Sequence, residues 1–291
     1  MHGSVALAAA IGRGTRVEAS RSAGLVVDTP LTRSRPPYGG MLPVERVVRE
    51  MYRERSVEPS VKLSITSDLP TGAGLGSSAS TMVAAVSAVS RLEGWNLDGN
   101  SVAETSMLGE RLVHGKPSGV DVAASVFGGV LQFRVGAEPW QVPLERPVKF
   151  LVVYSGRRRN TGRLVSKVSS MKGLYPSLFA KLCESATLVT ELATSRLVEG
   201  RLEELGKIMT YNHAVLAMVG ASNEQLDRLV DLCLQSGCLG AKLTGAGGGG
   251  SVLALAPRGE EMAVIDRISK RGFEAFVTDI PAGGVRVWTN E

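Results

Sequence analysis

The chain has 291 residues, enough for two domains of ordinary size. Hydrophobic residues make up 44% and charged residues 21%, the balance of a soluble globular protein, and no apolar run reaches the roughly 18 residues of a membrane span. The net charge of +5 suits anionic ligands, but one dense basic run, Arg157-Arg158-Arg159, and 5% aromatic residues make no base-stacking platform, so nucleic acid is not expected as a partner.

No charged n-region, apolar h-region and cleavage site are visible at the start, so nothing in the residues indicates secretion. Cys183, Cys233 and Cys238 are scattered, show no metal-ligand spacing and fit a reducing cytoplasm. His2, His114 and His213 are too far apart in sequence for a zinc motif.

In chain order, Val5 to Ala8, Thr15 to Ala19 and Gly24 to Val27 read as strands. Pro30 to Pro43 reads as a Pro/Gly-rich surface connection, and Val44 to Arg55 as a helix with Val44, Val47, Val48 and Met51 on its apolar face. Val61 to Thr66 alternates as a strand. The most informative segment follows: Leu69-Pro70-Thr71-Gly72-Ala73-Gly74-Leu75-Gly76-Ser77-Ser78-Ala79-Ser80. Beyond it Ala79, Met82, Val83, Val86 and Val89 repeat at helical spacing. The glycines therefore join a strand to a helix and deliver Ser77 and Ser78 to the helix N-terminus. Unpaired N–H groups and the helix dipole gather positive potential there. Glycines let the backbone approach a ligand closely, and a phosphate suits the place. Serine N-caps on a plain glycine loop are the structural alternative. The loop is no Walker A motif, since no lysine follows Gly76, and no dinucleotide fingerprint, since Ser77 takes the third glycine position.

Asn100 to Val113 reads as a further helix and Val130 to Phe133 as a strand. Between them lies Gly109-Glu110-Arg111-Leu112-Val113-His114-Gly115-Lys116-Pro117-Ser118-Gly119-Val120-Asp121, with Glu110 on the helix and Asp121 beyond a turn. Either carboxylate alone suits a solvated surface. As a pair beside a phosphate loop they suggest divided labour. One holds a hard cation with help from a serine hydroxyl, and the other orients and deprotonates an acceptor hydroxyl.

Pro139 to Pro147 carries the breakers of a domain boundary, dividing the chain into 1–147 and 148–291. Phe150 to Tyr154 reads as a buried strand. Thr161 to Met171, Ser177 to Val198, Leu202 to Met218 and Asn223 to Gln235 read as helices. A second glycine loop, Gly245 to Gly250, lies between short apolar segments. Its glycines match dinucleotide spacing, but Ser251 to Leu255 reads as a strand where that motif needs a helix. Five glycines in six residues are costly to order, so the loop reads as backbone pressed against a ligand or against the first loop. The helix Glu260 to Lys270 and the strands Phe273 to Thr278 and Gly284 to Trp288 close an α+β pattern in two halves.

These segments, in this order and spacing, resemble the GHMP small-molecule kinases over nearly the whole chain. Pro70 to Ala79 resembles the family's phosphate motif and Lys242 to Gly250 its C-terminal glycine motif. His114 to Asp121 resembles in particular the mevalonate-phosphorylating branch, and Arg159-Asn160-Thr161 a substrate-side segment of that branch. The resemblance implies an N-terminal α/β domain with a mixed sheet and left-handed crossover, a ferredoxin-like α+β C-terminal domain, and a site in the cleft between them.

It also implies roles. Pro70, Gly72, Gly74, Leu75, Gly76, Ser77, Ser78 and Ala79 would wrap the ATP phosphates, with Gly245, Gly247 and Gly248 shaping the floor. Ser78 and Glu110 would hold Mg²⁺, and Asp121 would act on the C5 hydroxyl of mevalonate. His2, Asn160 and Thr161 would lie on the substrate side. The implied activity is cytoplasmic transfer of the ATP γ-phosphoryl group to mevalonate, with another family kinase, such as a phosphomevalonate kinase, as alternative. A homodimer is carried as an expectation. His2-Gly3-Ser4-Val5-Ala6-Leu7-Ala8 resembles the tail of the family's first motif, whose Pro-Gly-Lys and Gly-Glu-His parts do not appear. A start upstream of Met1 is expected to supply the lysine, and a catalytically impaired nucleotide-binding relative is the alternative.

Overall fold

The computed structural model describes residues 4–29, 42–70, 72–115, 117–157 and 161–289. In chain order its elements are β1 (Ala6–Ala9), β2 (Thr15–Arg21), β3 (Val26–Asp28), α1 (Pro43–Arg53), β4 (Val61–Ser67), α2 (Ser77–Glu93), α3 (Gly99–His114), α4 (Val120–Phe127), β5 (Val130–Phe133), β6 (Trp140–Val142), β7 (Lys149–Tyr154), α5 (Thr161–Leu174), α6 (Pro176–Val198), α7 (Leu202–Met218), α8 (Glu224–Gln235), β8 (Gly240–Leu243), β9 (Ser251–Leu255), α9 (Glu261–Ser269) and β10 (Ala275–Asp279). Most of the connection expected over 30–43 lies outside the described residues.

Two compact units emerge. The first comprises Arg13–Leu69, Gly76–Gly129 and Pro281–Glu291, the second Met1–Gly12, Pro70–Leu75 and Val130–Ile280. Each unit is built from three stretches of chain, and the breaker-rich segment Pro139 to Pro147 lies within the second. That segment contains β6, which pairs antiparallel with β5, while β1 pairs with the other edge of β5. A tryptophan and a valine two residues apart are enough to form a ladder among the prolines.

The first unit has a mixed sheet, ordered β2-β4-β3, with β2 antiparallel and β3 parallel to β4. Its core takes the faces that the spacing predicts: Val44, Val47, Val48 and Met51 of α1, Val61, Leu63 and Ile65 of β4, and Ala79, Met82, Val83, Val86 and Val89 of α2. Each such valine, leucine, isoleucine or methionine contributes about 1.5–3 kcal/mol by leaving water.

The sequence pattern does not predict helix α4. Its eight residues bury only Val122, Ala123 and Val126, too short a stripe to show a period. The strand expected over Gly284 to Trp288 is irregular instead. Its backbone sits directly on the turn after α4, where a Cβ added at Gly284 would lie 2.1 Å from the Val126 carbonyl oxygen. No strand of the described residues pairs with this segment, so no ladder forms along it.

The second unit holds a four-stranded antiparallel sheet ordered β10-β7-β9-β8. Numbered along this half of the chain, that is the 4-1-3-2 order of a ferredoxin-like split βαβ, with four helices in the first crossover. Helix α7 closes on β8 through glycine. A Cβ added at Gly240 would lie 1.7 Å from the Gly206 carbonyl oxygen, and one at Gly206 would lie 2.5 Å from the Leu239 carbonyl.

Backbone atoms cannot swing aside as side chains do. Gly240→Ala should therefore lower stability by about 3 kcal/mol or more, the upper end for overpacking. Urea unfolding followed by circular dichroism checks this, and an unchanged midpoint would mean that α7 and β8 part without cost.

Candidate active site

The three alternating glycines of the first loop all adopt positive φ: Gly72 at 74°, Gly74 at 77° and Gly76 at 69°. An L side chain would be strained at each, which explains the residue type and the spacing. Gly76 is the N-cap of α2, and no side chain caps the helix. Ser77 and Ser78 are its first two residues rather than caps, so the first N–H groups of α2 are not taken by a capping serine. The dipole of a 17-residue helix ends there.

Within the first unit the structure brings together the residues that the sequence singles out around Ser78. The Ser78 hydroxyl donates to Glu110 Oε1 at 2.5 Å. Glu110 is only 4% exposed. Burial pushes its carboxyl above the ordinary value, Ser78 and His114 oppose that push, and the charge of Asp121 adds to it. His114 lies one helical turn on, with Nε2 3.7 Å from Glu110 Oε2. The i,i+4 spacing of this pair on α3 is legible in the sequence.

Asp121 lies in the first turn of α4 and is exposed. Its side chain reaches the loop: a Cβ added at Gly76 would meet Asp121 Cβ at 3.4 Å and Cγ at 3.6 Å. The turn expected before Asp121 is thus followed at once by a helix, and Gly119 caps it in the left-handed conformation.

One glycine sets this geometry. Gly109, beside Glu110, faces Met82 of α2, four residues after Ser78. A Cβ there would lie 2.5 Å from Met82 Sδ and 3.0 Å from Val47 Cγ2. The missing side chain lets α3 approach α2 until Glu110 meets Ser78.

In the second unit, Ala73 and Gly74 of the first loop meet the second glycine loop. A Cβ added at Gly250 would lie 2.5 Å from the Ala73 carbonyl oxygen. Gly245, Gly247, Gly248, Gly249 and Gly250 all have positive φ. The Gly248 N–H donates to the Ala221 carbonyl at 2.9 Å and the Gly250 N–H to the Arg157 carbonyl at 3.1 Å. Of the two contacts expected for this loop, loop against loop is realised.

Lys242, just before that loop on β8, donates from Nζ to the Leu243 carbonyl at 2.7 Å, and burial draws its ammonium down to about 8. No sequence spacing signals it. His2 and Asn160 lie outside the described residues, and Thr161 opens α5 with a side chain that is likewise outside them. Among the described residues no three His, Cys, Asp or Glu side chains group as a metal site. A cation could instead draw on the Ser78 hydroxyl and the Glu110 carboxylate, a hard-oxygen pair with free positions left for phosphate and water.

Gly109→Val should force α3 away from α2. We expect a loss of about 1–3 kcal/mol in urea unfolding, as for overpacked cores generally. Unchanged stability would show that Met82 and Val47 yield freely and that Gly109 does not set the approach.

Residues 43–129 match the model of the GHMP kinases N terminal domain and residues 193–274 that of the GHMP kinases C terminal domain. The chain is 36% identical to a mevalonate kinase of Aeropyrum pernix, over 99% of this chain and 93% of that one. It is 30% identical to a mevalonate kinase of Archaeoglobus fulgidus, over 88% and 86%. The structure is similar to that of L. major mevalonate kinase in complex with R-mevalonate, at TM-score 0.84 and 27% identity over 98% of this chain and 91% of that one. The Lactococcus lactis galactokinase complexed with galactose shares the fold, at TM-score 0.75 and 18% identity over 97% and 89%. By sequence and by fold, this chain belongs to the GHMP kinases.

Proposed function

We propose that this kinase transfers the γ-phosphoryl group of ATP to the 5-hydroxyl of mevalonate. The observation that carries the reading is the buried contact of Glu110 with Ser78 at the start of α2, with Asp121 packed over Gly76 beside it. The names of the relatives, from two archaea, supply the acceptor.

Phosphoryl transfer asks an enzyme mainly for positioning and charge neutralisation. The loop glycines and the first N–H groups of α2 would cradle phosphate oxygens. Ser78 and Glu110 fit Mg²⁺: both offer hard oxygen, and a carboxylate held out of water with a neutral hydroxyl beside it is favoured by a cation. Bound there, Mg²⁺ would neutralise charge on the transferring phosphates. Asp121, exposed at the first turn of α4, would accept the proton of the acceptor hydroxyl and aim its oxygen. Asn160, Thr161 and His2 remain proposed for the substrate side, and Gly245, Gly247 and Gly248 for the floor of the phosphate site.

A substrate panel tests the acceptor. ADP release is expected with mevalonate and not with phosphomevalonate, galactose or homoserine; release with phosphomevalonate alone would move the chain to another branch of the family. Glu110→Gln keeps shape and removes charge, so turnover should fall on the order of a hundredfold or more across a magnesium titration. Asp121→Asn should keep ATP and mevalonate binding, measured by calorimetry, while turnover drops roughly two to four decades. Turnover retained in either variant would remove that residue from its proposed role.

A further inference from the structure

The second glycine loop is gripped from one place. Helix α7 carries His213, 8% exposed, and the turn between α7 and α8 carries Ala221 and Ser222. At the loop's entry, the Leu243 N–H donates to His213 Nδ1 at 3.2 Å. The ring's other nitrogen, Nε2, therefore carries the proton and donates to Asp227 Oδ1 at 3.0 Å. The Ser222 hydroxyl donates to the same Oδ1 at 2.5 Å. At the loop's crest, the neighbouring Ala221 carbonyl accepts from the Gly248 N–H at 2.9 Å, and a Cβ on Gly247 would lie 2.1 Å from that oxygen. Entry and crest of a five-glycine loop are thus tied to the hydrogen-bonded set His213, Asp227 and Ser222 and to Ala221, the chain neighbour of Ser222.

Such a loop has little stiffness of its own. We propose that His213, oriented by Asp227 and Ser222, is a positioning residue that holds the second glycine loop in the shape needed for nucleotide binding. This rests on the functional reading above and goes beyond it, since the phosphate-binding and acceptor roles do not use His213.

The arrangement works only with a neutral ring. Burial is the main influence on His213 and draws it below the ordinary histidine value of 6.5. The charges bearing on it are Asp227 and Asp231 of α8, which raise it, and Lys242 of β8, which lowers it. A depressed value means that the contribution is complete above 6.5 and lost as pH falls through the lower folded value. A second proton on the ring removes the acceptor at Nδ1 and leaves the buried Leu243 N–H without one.

The test is calorimetric binding of ATP with magnesium to the full chain, between about pH 5 and pH 8. Wild type should lose affinity on the acid side. His213→Gln can accept from Leu243 and donate to Asp227 without titrating, so it should bind like wild type at the upper pH and hold that affinity further down. Asp227→Asn removes a charge that favours the imidazolium, so its acid limb should move to lower pH. His213→Leu leaves the N–H without an acceptor at every pH and should weaken binding by about ten- to a hundredfold throughout. Should His213→Leu fail to fold, the pH profiles of the Gln and Asn variants decide alone. A limb of unchanged position in both variants overturns the proposal while leaving the kinase reading intact. A wild-type chain that binds no ATP at any pH overturns both.

Discussion

The contact between Ser78 and Glu110 is the one on which the first unit turns. A carboxylate that is 4% exposed is costly unless something nearby is cationic or donates hydrogen bonds. Here the donor is a hydroxyl at the start of a 17-residue helix, where the backbone itself is electropositive. Much of what surrounds it serves that meeting. Gly109 lets α3 come down onto Met82 of α2, and the left-handed Gly76 turns the chain so that Ser78 faces α3. Asp121 closes over Gly76 from α4. Under the function proposed above, this pair of carboxylates beside a helix N-terminus would receive a divalent cation together with phosphate.

The second unit solves a different problem with the same residue type. Its glycine loop must be close to other backbone, and it is: Gly250 against Ala73, Gly247 against Ala221. Holding so flexible a loop requires fixed partners, supplied by β7–β9 pairing beneath it and by the α7–α8 turn beside it. The approach of α7 to β8 through Gly206 and Gly240 brings His213 within reach of Leu243. The backbone-on-backbone contact and the hydrogen bond are two parts of one construction.

Much of this is readable in the residues. The strand, glycine loop and helix around Gly76 follow from alternation, then glycine, then helical spacing, and β4 and α2 stand where those signals put them. Glu110 and Asp121 pair as chemistry in the sequence, and both do lie at the Gly76–Ser78 turn. Other features are hidden for physical reasons. Helix α4 buries too few residues to show a period. The strand β6 sits among prolines that read as a linker. The tail beyond Pro281 alternates like a strand, but its Gly284 serves a close approach to the end of α4. His213 and Asp227 are fourteen residues apart on different helices, so only tertiary structure could join them.

The central claim is that Ser78 and Glu110 act as one unit in handling the metal-bound phosphates. A double-mutant cycle on turnover with ATP, magnesium and mevalonate, using Ser78→Ala, Glu110→Gln and the double variant, addresses it most directly. Groups that act together lose their effect together. The account predicts that the double variant is scarcely slower than the slower single one. Losses that multiply in full would show two independent residues and contradict it.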